Sequence, residues 1–227
     1  MTRTLTRILF GCAAALLLSG HAAWAQTEQQ TLVDRATLTV QEMFSDKVNP
    51  EARRLLHNAR GALVCPQIFK AGFILGGQGG SCVLVGRNGA NWTSPAFYGM
   101  GSGSIGLQIG VQDSQIVFIV LTDKGLQALM DSQFKIGADA SVAVATIGAG
   151  VSGSTTAALR ADIVAFSQNR GLFAGISLDG TLISNKSDWN QLYYGRPLAA
   201  QQIITSNEGT NPGADPLREM LTRLAGG

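Results

Sequence analysis

The chain has 227 residues, of which 45% are apolar and 14% are charged, and its formal net charge is +2 at pH 7. This length fits one domain, and the apolar fraction supports a hydrophobic core. The small net charge argues against general attraction to nucleic acid, so we expect no nucleic-acid partner.

The first 25 residues have the pattern of a bacterial-type secretory signal peptide. Arg3 and Arg7 precede an apolar run from Ile8 to Leu18, and Ala23-Trp24-Ala25 forms a cleavage signal. The run is too short to span a membrane. Loss of the two arginines lowers Lys+Arg from 17 to 15, which equals the count of Asp+Glu. We therefore expect a periplasmic or secreted protein, peripheral to a membrane at most, with a net charge of zero.

Two amphipathic helices are predicted next. The first covers 31–46, because six apolar residues recur there at helical spacing: Leu32, Val33, Ala36, Val40, Met43 and Phe44. Its polar residues are mainly acidic, which favours packing on the core over a membrane-surface role. Asn49-Pro50 is a start signal for a second helix that reaches about Ala59.

After Gly61 the pattern changes to short apolar or alternating runs bounded by Gly, Asn, Asp or Pro, which is typical of strands. GGQGG (76–80) is interpreted as a hairpin tip, and IVFIVLT (116–122) as a central strand. The predicted class is α+β, with N-terminal helices packed on a strongly curved, mainly antiparallel, Gly-rich β-sheet or partial barrel. The predicted strands are 62–68, 71–77, 81–87, 96–100, 104–112 and 115–122.

The second half of the chain continues this alternation. A short helix is predicted to begin at Asp123, and strand pairing is predicted within 137–153 and for 161–168, 171–178 and 181–184. A short helix around Leu217–Leu224 follows a turn-rich stretch. The predicted domains are the signal peptide (1–25), one domain (26–205) and a C-terminal tail (206–227).

The chemistry-bearing residues give no catalytic or metal-binding pattern. Gly101–Gly106 matches GxGxxG, but an alternating strand-like sequence follows it where a dinucleotide site needs a helix. His57 is the only histidine after the signal peptide and is interpreted as a surface or interfacial residue. No cluster has zinc or calcium spacing. We therefore expect no catalytic residue, no metal and no cofactor, and hence no enzyme.

Two cysteines remain in the mature chain, Cys65 and Cys82, on predicted neighbouring strands. In an oxidising compartment they can pair as a disulfide. The alternative is two buried thiols.

The stretch 52–112 contains five basic residues and no Asp or Glu. A region of one sign suits phosphate-bearing partners, so we predict head-group contact by Arg53, Arg54, Arg60, Lys70 and Arg87. Trp92, Phe97 and Tyr98 lie in the same stretch and are candidates for a membrane interface. Buried packing under the sheet is the alternative for these three aromatic residues.

Several segments resemble the SYLF lipid-binding domain family. They are NPEARRLLHNARGALVCPQIFKAGF (49–73), the WTSP segment at 92–95, GLQIG (106–110) and GLFAGISLDG (171–180), and the resemblance covers roughly 30–205. It implies a non-enzymatic module that binds membrane phospholipids. Some fungal relatives bind actin, but an exported protein meets no actin, so actin is not expected as a partner.

The predicted function is an exported lipid-binding module that contacts anionic phospholipid or a membrane surface. The alternative is a structural or interaction protein of the cell envelope that associates with itself or with another protein. The sequence leaves the lipid and the oligomeric state open.

Overall fold

A single sheet organises the part of the chain that the computed structural model describes, namely residues 28–45, 50–72, 75–105, 110–146, 160–170, 178 and 180–226. The elements in chain order are α1 (28–43), α2 (Pro50–His57), β1 (Gly61–Gly72), β2 (Leu75–Asn88), β3 (Asn91–Trp92), β4 (Ala96–Ile105), β5 (Gly110–Val120), α3 (Asp123–Met130), β6 (Gln133–Lys135), β7 (Val142–Thr146), β8 (Ile163–Arg170), β9 (Leu182–Asn185), α4 (Ser187–Tyr194), α5 (Ala200–Ile204), a 3-10 helix (Pro212–Ala214) and α6 (Asp215–Ala225).

The strands follow the order β6-β9-β4-β2-β1-β5-β8-β7, with β3 paired to β2 alone. Only β7 and β8 pair in parallel among the described strands, and the sheet curls into a half-barrel. The predicted α+β class and the curved, mainly antiparallel sheet are confirmed.

Helices cover both faces of the sheet and make two hydrophobic cores. On one face, α1, α2 and α6 pack over Val64, Val83 and Phe97. On the other, α3 and α5 pack over Leu63, Leu84 and other inward residues. The apolar stripe predicted for the first helix is buried, which confirms its packing role; the helix itself occupies 28–43. Asn49 lies outside the described residues.

Two long strands, β1 and β2, lie where the sequence analysis predicted three shorter strands. β1 and β2 pair from Gly61↔Gly86 to Gly72↔Gly76, so GGQGG (76–80) lies within β2. The hairpin-tip interpretation was wrong because glycine weakens strand propensity without forbidding a strand that is paired on both sides.

A β-bulge interrupts β1 at Pro66. The register shifts between Val64 and Gln67 against β2, and between Cys65 and Ile68 against β5. Proline has no N–H to give a ladder, so it suits a bulge. The bulge brings the carbonyl oxygen of Gln67 into the space that a Cβ on Gly80 would occupy, so only glycine fits there.

The C-terminal residues are part of the core. α6 is longer than the predicted short helix, and its Leu217 and Leu221 are fully buried against α1 and α2. The predicted boundary at residue 205 therefore does not separate a tail from the hydrophobic core. Of the remaining predicted strands, 171–177 lies outside the described residues.

Candidate functional site

All five predicted head-group residues interact with other parts of the molecule, and the contacts of Arg53, Arg60 and Arg87 show how. Arg53 Nε donates to the carbonyl oxygen of Leu224 at 3.3 Å, where a cation suits the C-terminus of α6. Arg60 Nε lies 3.3 Å from Asp123 Oδ1. The Arg87 guanidinium lies 5.1 Å from the centre of the Trp92 ring. Each cation therefore has a structural partner.

The structure does not bring the five residues together. Arg60 and Arg87 are neighbours, since the Arg87 N–H donates to the Arg60 carbonyl at 2.8 Å. Lys70 pairs with Gln78 near the other end of β1, about 30 Å away at 3.3 Å per residue. Arg54 lies on the exposed side of α2. The five do not form one cationic surface, and lipid contact by any one of them stays a prediction.

The predicted interface aromatics are core residues. Trp92 is 1% exposed, and Phe97 and Tyr98 are 0% exposed. The Phe97 ring packs edge-on against Tyr193 with centroids 5.0 Å apart. Burial raises the pKa of Tyr98 well above its usual range. Membrane contact by these three side chains is inconsistent with this burial, because Trp92 and Phe97 belong to one core and Tyr98 belongs to the other.

Cys65 and Cys82 are joined by a disulfide with an S–S distance of 2.02 Å. It links β1 to β2 beside the bulge. His57 is surface-exposed, and its Nδ1 lies 2.6 Å from the carbonyl oxygen of Ala225, so it helps to hold the end of α6. Neither feature is arranged for nucleophilic catalysis.

A groove runs between α1 and the bulged part of β1. We call it the α1–β1 groove. It has a volume of about 440 Å³ and is lined mainly by apolar atoms. The side chain of Phe69 is 51% exposed at its edge. The lining residues are Glu28, Thr31, Leu32, Arg35, Pro66, Gln67, Phe69, Gly79, Gly80, Ser81 and Trp189.

The groove lining has one residue of each charge, Arg35 and Glu28. Burial of the α1 stripe on the core directs Arg35 to the outer side of the helix, where its NH1 donates to Gln67 Oε1 at 2.8 Å. Gln67 Nε2 in turn donates to Asp113 Oδ2 at 3.2 Å. The amide separates the guanidinium from the carboxylate, so Arg35 is oriented without being neutralised by direct contact.

Lys186 supplies a second cation at the same end of the sheet. Its backbone N–H donates to the carbonyl oxygen of Phe97 at 2.9 Å, which fixes the start of α4. Its Nζ lies 3.7 Å from the centre of the Trp189 ring and 3.1 Å from Ser81 Oγ. Within the described ranges, neither Lys186 nor Arg35 has a carboxylate oxygen within 4.0 Å.

Beside the groove lies a strip of sheet without side chains. Cross-strand pairing aligns one row across four strands: Phe69 on β1, Gly79 on β2, Gly101 on β4 and Leu182 on β9. Leu182 is 38% exposed. The next row on this face pairs Gly77 with Gly103. We call this feature the glycine trough, with Gly77, Gly79, Gly101 and Gly103 as its floor and Phe69 and Leu182 as its walls.

The trough and the groove are continuous. Ser81 pairs with Gly99 in the row that separates them, and Lys186 lies above that row, with its Cε 3.6 Å from the position of a Cβ on Gly99. Residues that share a row point to the same face of a sheet. The site therefore has cations at one end and an apolar surface leading away from them.

Other classes of site find no support in the described part of the chain. No group of three or more His, Cys, Asp or Glu side chains is placed to hold a metal ion there. The helices in that part are all too short or too polar to cross a membrane.

Comparison with known proteins gives a family. The sequence model of the Ysc84 family, which is described as Las17-binding protein actin regulator, matches residues 101–224. The chain belongs to the Ysc84 (SYLF) family. The family resemblance stated from the sequence is confirmed. The matched part of the Ysc84 domain includes Lys186, Trp189 and the β4 and β9 sides of the trough.

Several eukaryotic proteins are similar over most of this chain. Protein YSC84 of Saccharomyces cerevisiae is 27% identical over 206 residues, covering 88% of this chain and 43% of that protein. LAS seventeen-binding protein 3 of the same yeast is 30% identical over 175 residues, covering 75% and 38%. The human SH3 domain-containing YSC84-like protein 1 is 28% identical over 178 residues, covering 78% and 51%. The chain thus spans about half the length of these relatives, or less.

These names correct one expectation. We predicted from the export signal that actin is not a partner. The family description names an actin regulator, and a yeast relative is named for binding LAS seventeen. Both point to actin-related protein partners within the Ysc84 family, so the exclusion of actin was wrong.

Sequence reasoning missed Lys186 and Trp189. Their spacing of three residues at the start of a helix is one at which a cation can reach an indole ring. That contact could have been predicted from the local sequence. The contact of Lys186 with Ser81 could not, because it joins residues 105 positions apart.

Proposed function

We propose that this chain is a non-enzymatic binding module for anionic phospholipid, with the lipid head group placed between Lys186 and Arg35. The observation that carries the proposal is a pair of cations beside an apolar groove: Arg35 lines the groove, and Lys186 contacts two of its lining residues, Ser81 and Trp189. Neither cation is in direct contact with a carboxylate among the described residues. A phosphate-bearing amphiphile matches both parts of that arrangement.

The binding free energies require both the two cations and the apolar surface. One Lys or Arg near an anionic membrane surface contributes about 1 kcal/mol. Two such cations alone give weak, salt-sensitive binding. Apolar contact with Phe69 and the groove supplies the remainder, because burial of apolar surface contributes about 25 cal/mol per Å².

Vesicle co-sedimentation of the purified protein tests the proposal. We expect binding to vesicles that contain phosphatidylglycerol, little binding to phosphatidylcholine alone, and weakening at high salt. Lys186→Gln removes one charge and should weaken binding by about fivefold, which corresponds to about 1 kcal/mol.

Arg60→Gln is the matched control, since it removes one charge at the other end of the sheet, where Arg60 pairs with Asp123. Binding that ignores both lipid charge and salt would contradict the proposal. A larger loss in Arg60→Gln than in Lys186→Gln would instead favour the basic residues predicted from the sequence.

The proposal of a non-enzymatic role is supported by how the sole mature-chain histidine is used. Nδ1 of His57 lies 2.6 Å from the carbonyl oxygen of Ala225, so this ring nitrogen already has a hydrogen-bond partner within the fold. His57 lies on α2, which does not line the groove. Substitution of His57 should therefore leave lipid binding unchanged in the same assay.

We also propose that the module works after export, with residues 1–25 removed. The disulfide between Cys65 and Cys82 supports an oxidising compartment. Mass spectrometry of the protein from the periplasmic fraction tests this proposal. A mature N-terminus at Gln26 is expected, and an intact Met1 in the cytoplasmic fraction would contradict it.

A second candidate function is binding of a protein partner. The names of the yeast relatives support it, and so does β7, which ends the strand order of the described sheet and has Val144 42% exposed. Such an edge can accept a strand from another chain. Co-sedimentation with filamentous actin, and crosslinking of the protein in cells, test this candidate; Val144→Lys should reduce complexes that form through β7.

A further inference from the structure

We infer that the glycine trough holds the acyl chain of the anionic lipid whose head group lies at Lys186. The inference rests on the proposed function and deepens it. It assigns the apolar part of the ligand to a surface made of bare backbone. It also predicts that the protein takes up a single lipid molecule in addition to adhering to a bilayer.

Packing by the described residues does not explain the floor of the trough. A Cβ on Gly77 or Gly101 would meet only a backbone carbonyl oxygen, at 3.7 Å and 3.8 Å, and a Cβ on Gly103 would meet no atom of the described residues within 4 Å. These are ordinary contact distances. Glycine within a strand costs stability relative to residues with side chains, so the part of the fold that the structure describes gains nothing from these three glycines.

The chemistry of the floor selects an apolar occupant. The backbone N–H and C=O groups of Gly77, Gly79, Gly101 and Gly103 belong to strands that are paired on both sides over most of this region. They offer few hydrogen bonds to a ligand, and the walls are Phe69 and Leu182. A sugar or a peptide backbone would leave its polar groups without partners here, which costs free energy. A hydrocarbon chain has no such groups.

The charge at one end sets the direction of the ligand. Lys186 lies over the row of Ser81 and Gly99, and the floor continues from there for about 13 Å to Gly77 and Gly103. The walls stand three strand spacings apart, about 14 Å. A phosphate at Lys186 therefore places its attached chain along the floor, between Phe69 and Leu182.

The experiment fills the trough without disturbing the fold. In Gly101→Val the new side chain projects from the floor into open space. Ser102→Val is the matched control, because it adds a similar side chain at the next residue of β4, on the opposite face. Binding of lysophosphatidylglycerol below its micelle concentration is measured by calorimetry, with glycerol 3-phosphate as the head group alone.

We expect the wild type and Ser102→Val to bind the lysolipid equally, and Gly101→Val to bind at least about tenfold more weakly. Tenfold corresponds to about 1.4 kcal/mol, or roughly two methylene groups kept from the floor. Glycerol 3-phosphate should bind far more weakly than the lysolipid. Should Gly101→Val fail to fold by circular dichroism, Leu182→Asn tests the wall on β9 with the same expected direction.

Three results would overturn the inference. They are equal lysolipid affinity in Gly101→Val and the wild type, glycerol 3-phosphate binding as tightly as the lysolipid, and binding to anionic vesicles without any binding of monomeric lysolipid. In each of these cases vesicle binding still supports the proposed function. Failure of the wild type to bind anionic vesicles at all would defeat the proposed function itself, and complexes with actin under those conditions would favour the protein-partner candidate.

Discussion

Glycine has opposite roles at the two ends of the β2–β4 pair. At the helix-covered end, a Cβ on Gly86 would lie 2.6 Å from Ile204 Cγ2, so the absence of a side chain lets α5 approach the sheet. At the trough, a Cβ on Gly103 would meet no described atom within 4 Å. The first glycine is required by packing inside the molecule. The second leaves a surface that only something outside the described chain can use.

The same contrast separates two phenylalanines. Phe97 is fully buried between the sheet and α4, whereas Phe69 is 51% exposed at the trough. An apolar side chain held in solvent gains little for the fold. We therefore expect stability to depend on the covered end and binding to depend on the trough.

The largest effect on stability should come from substitution of the buried phenylalanine, Phe97. Phe97→Ala should lower the free energy of unfolding by about 4 kcal/mol, because it leaves a cavity in the core. Phe69→Ala should change it by less than about 0.5 kcal/mol, as expected for a surface residue, while weakening lipid binding. Urea unfolding measures both values. A large loss of stability in Phe69→Ala would remove the distinction between the two regions.

Gly80→Ala should come next. Its Cβ would overlap the carbonyl oxygen of Gln67, which is backbone held by the bulge, so the strand must shift. We expect a loss of about 3 kcal/mol, the upper part of the range for overpacked sites. The midpoint of urea unfolding should fall accordingly. A stability close to that of the wild type would mean that the bulge moves freely.

Asp162 gives a pH-dependent effect at the covered end. Its carboxylate accepts from Ser141 N–H at 3.0 Å and from Thr122 Oγ1 at 2.8 Å, and these bonds lower its pKa from 3.8 to about 2. A lowered folded-state pKa contributes stability above pH 4 that is lost as the pH falls toward 2.

The size of this contribution is about 2 kcal/mol, from the shift of nearly two pKa units. Asp162→Asn should therefore be less stable than the wild type at pH 6 and should approach it near pH 2. Thermal unfolding across that range checks the convergence. If the difference in stability between the two proteins stays constant with pH, the loss comes from altered hydrogen-bond geometry and not from the missing charge.

The smallest effect should be a gain. Gly103→Ala at the trough should raise the free energy of unfolding by about 0.5 kcal/mol, because alanine loses less backbone entropy than glycine and its Cβ has space. The same urea titration measures it. A loss of stability would show that some part of the chain packs on the trough.

How much of this could be predicted from the sequence depends on how local the signal is. The apolar stripe of α1 and the start of α3 at Asp123 are local, and both were predicted. Glycine-rich strands were harder, because GGQGG has the composition of a turn and only its pairing with β1 and β4 makes it a strand. The short helices α4 and α5 were missed because five to eight residues carry little periodicity.

The candidate site was less predictable than the fold. A run of cations without acids in sequence suggested one surface, yet Asp123 reaches Arg60 and α6 reaches Arg53 from elsewhere in the chain. Lys186 contacts Ser81 and Arg35 contacts Gln67, and these two partners are paired across β1 and β2, which no local pattern encodes. Charge spacing along a chain predicts a charged surface only when the partners supplied by the fold are known.

The junction of α2 with α6 has a consequence for how this domain is made. The bonds from Arg53 and His57 to the last turn of α6 span 171 and 168 positions. Contacts so distant in sequence require the closure of a long chain loop, which costs entropy and slows folding. Until residues 215–225 have docked, Leu56 has no cover from that side. A molecule in which this eleven-residue helix has detached would present that leucine to proteases and chaperones, so docking of α6 protects the α2 side of the core.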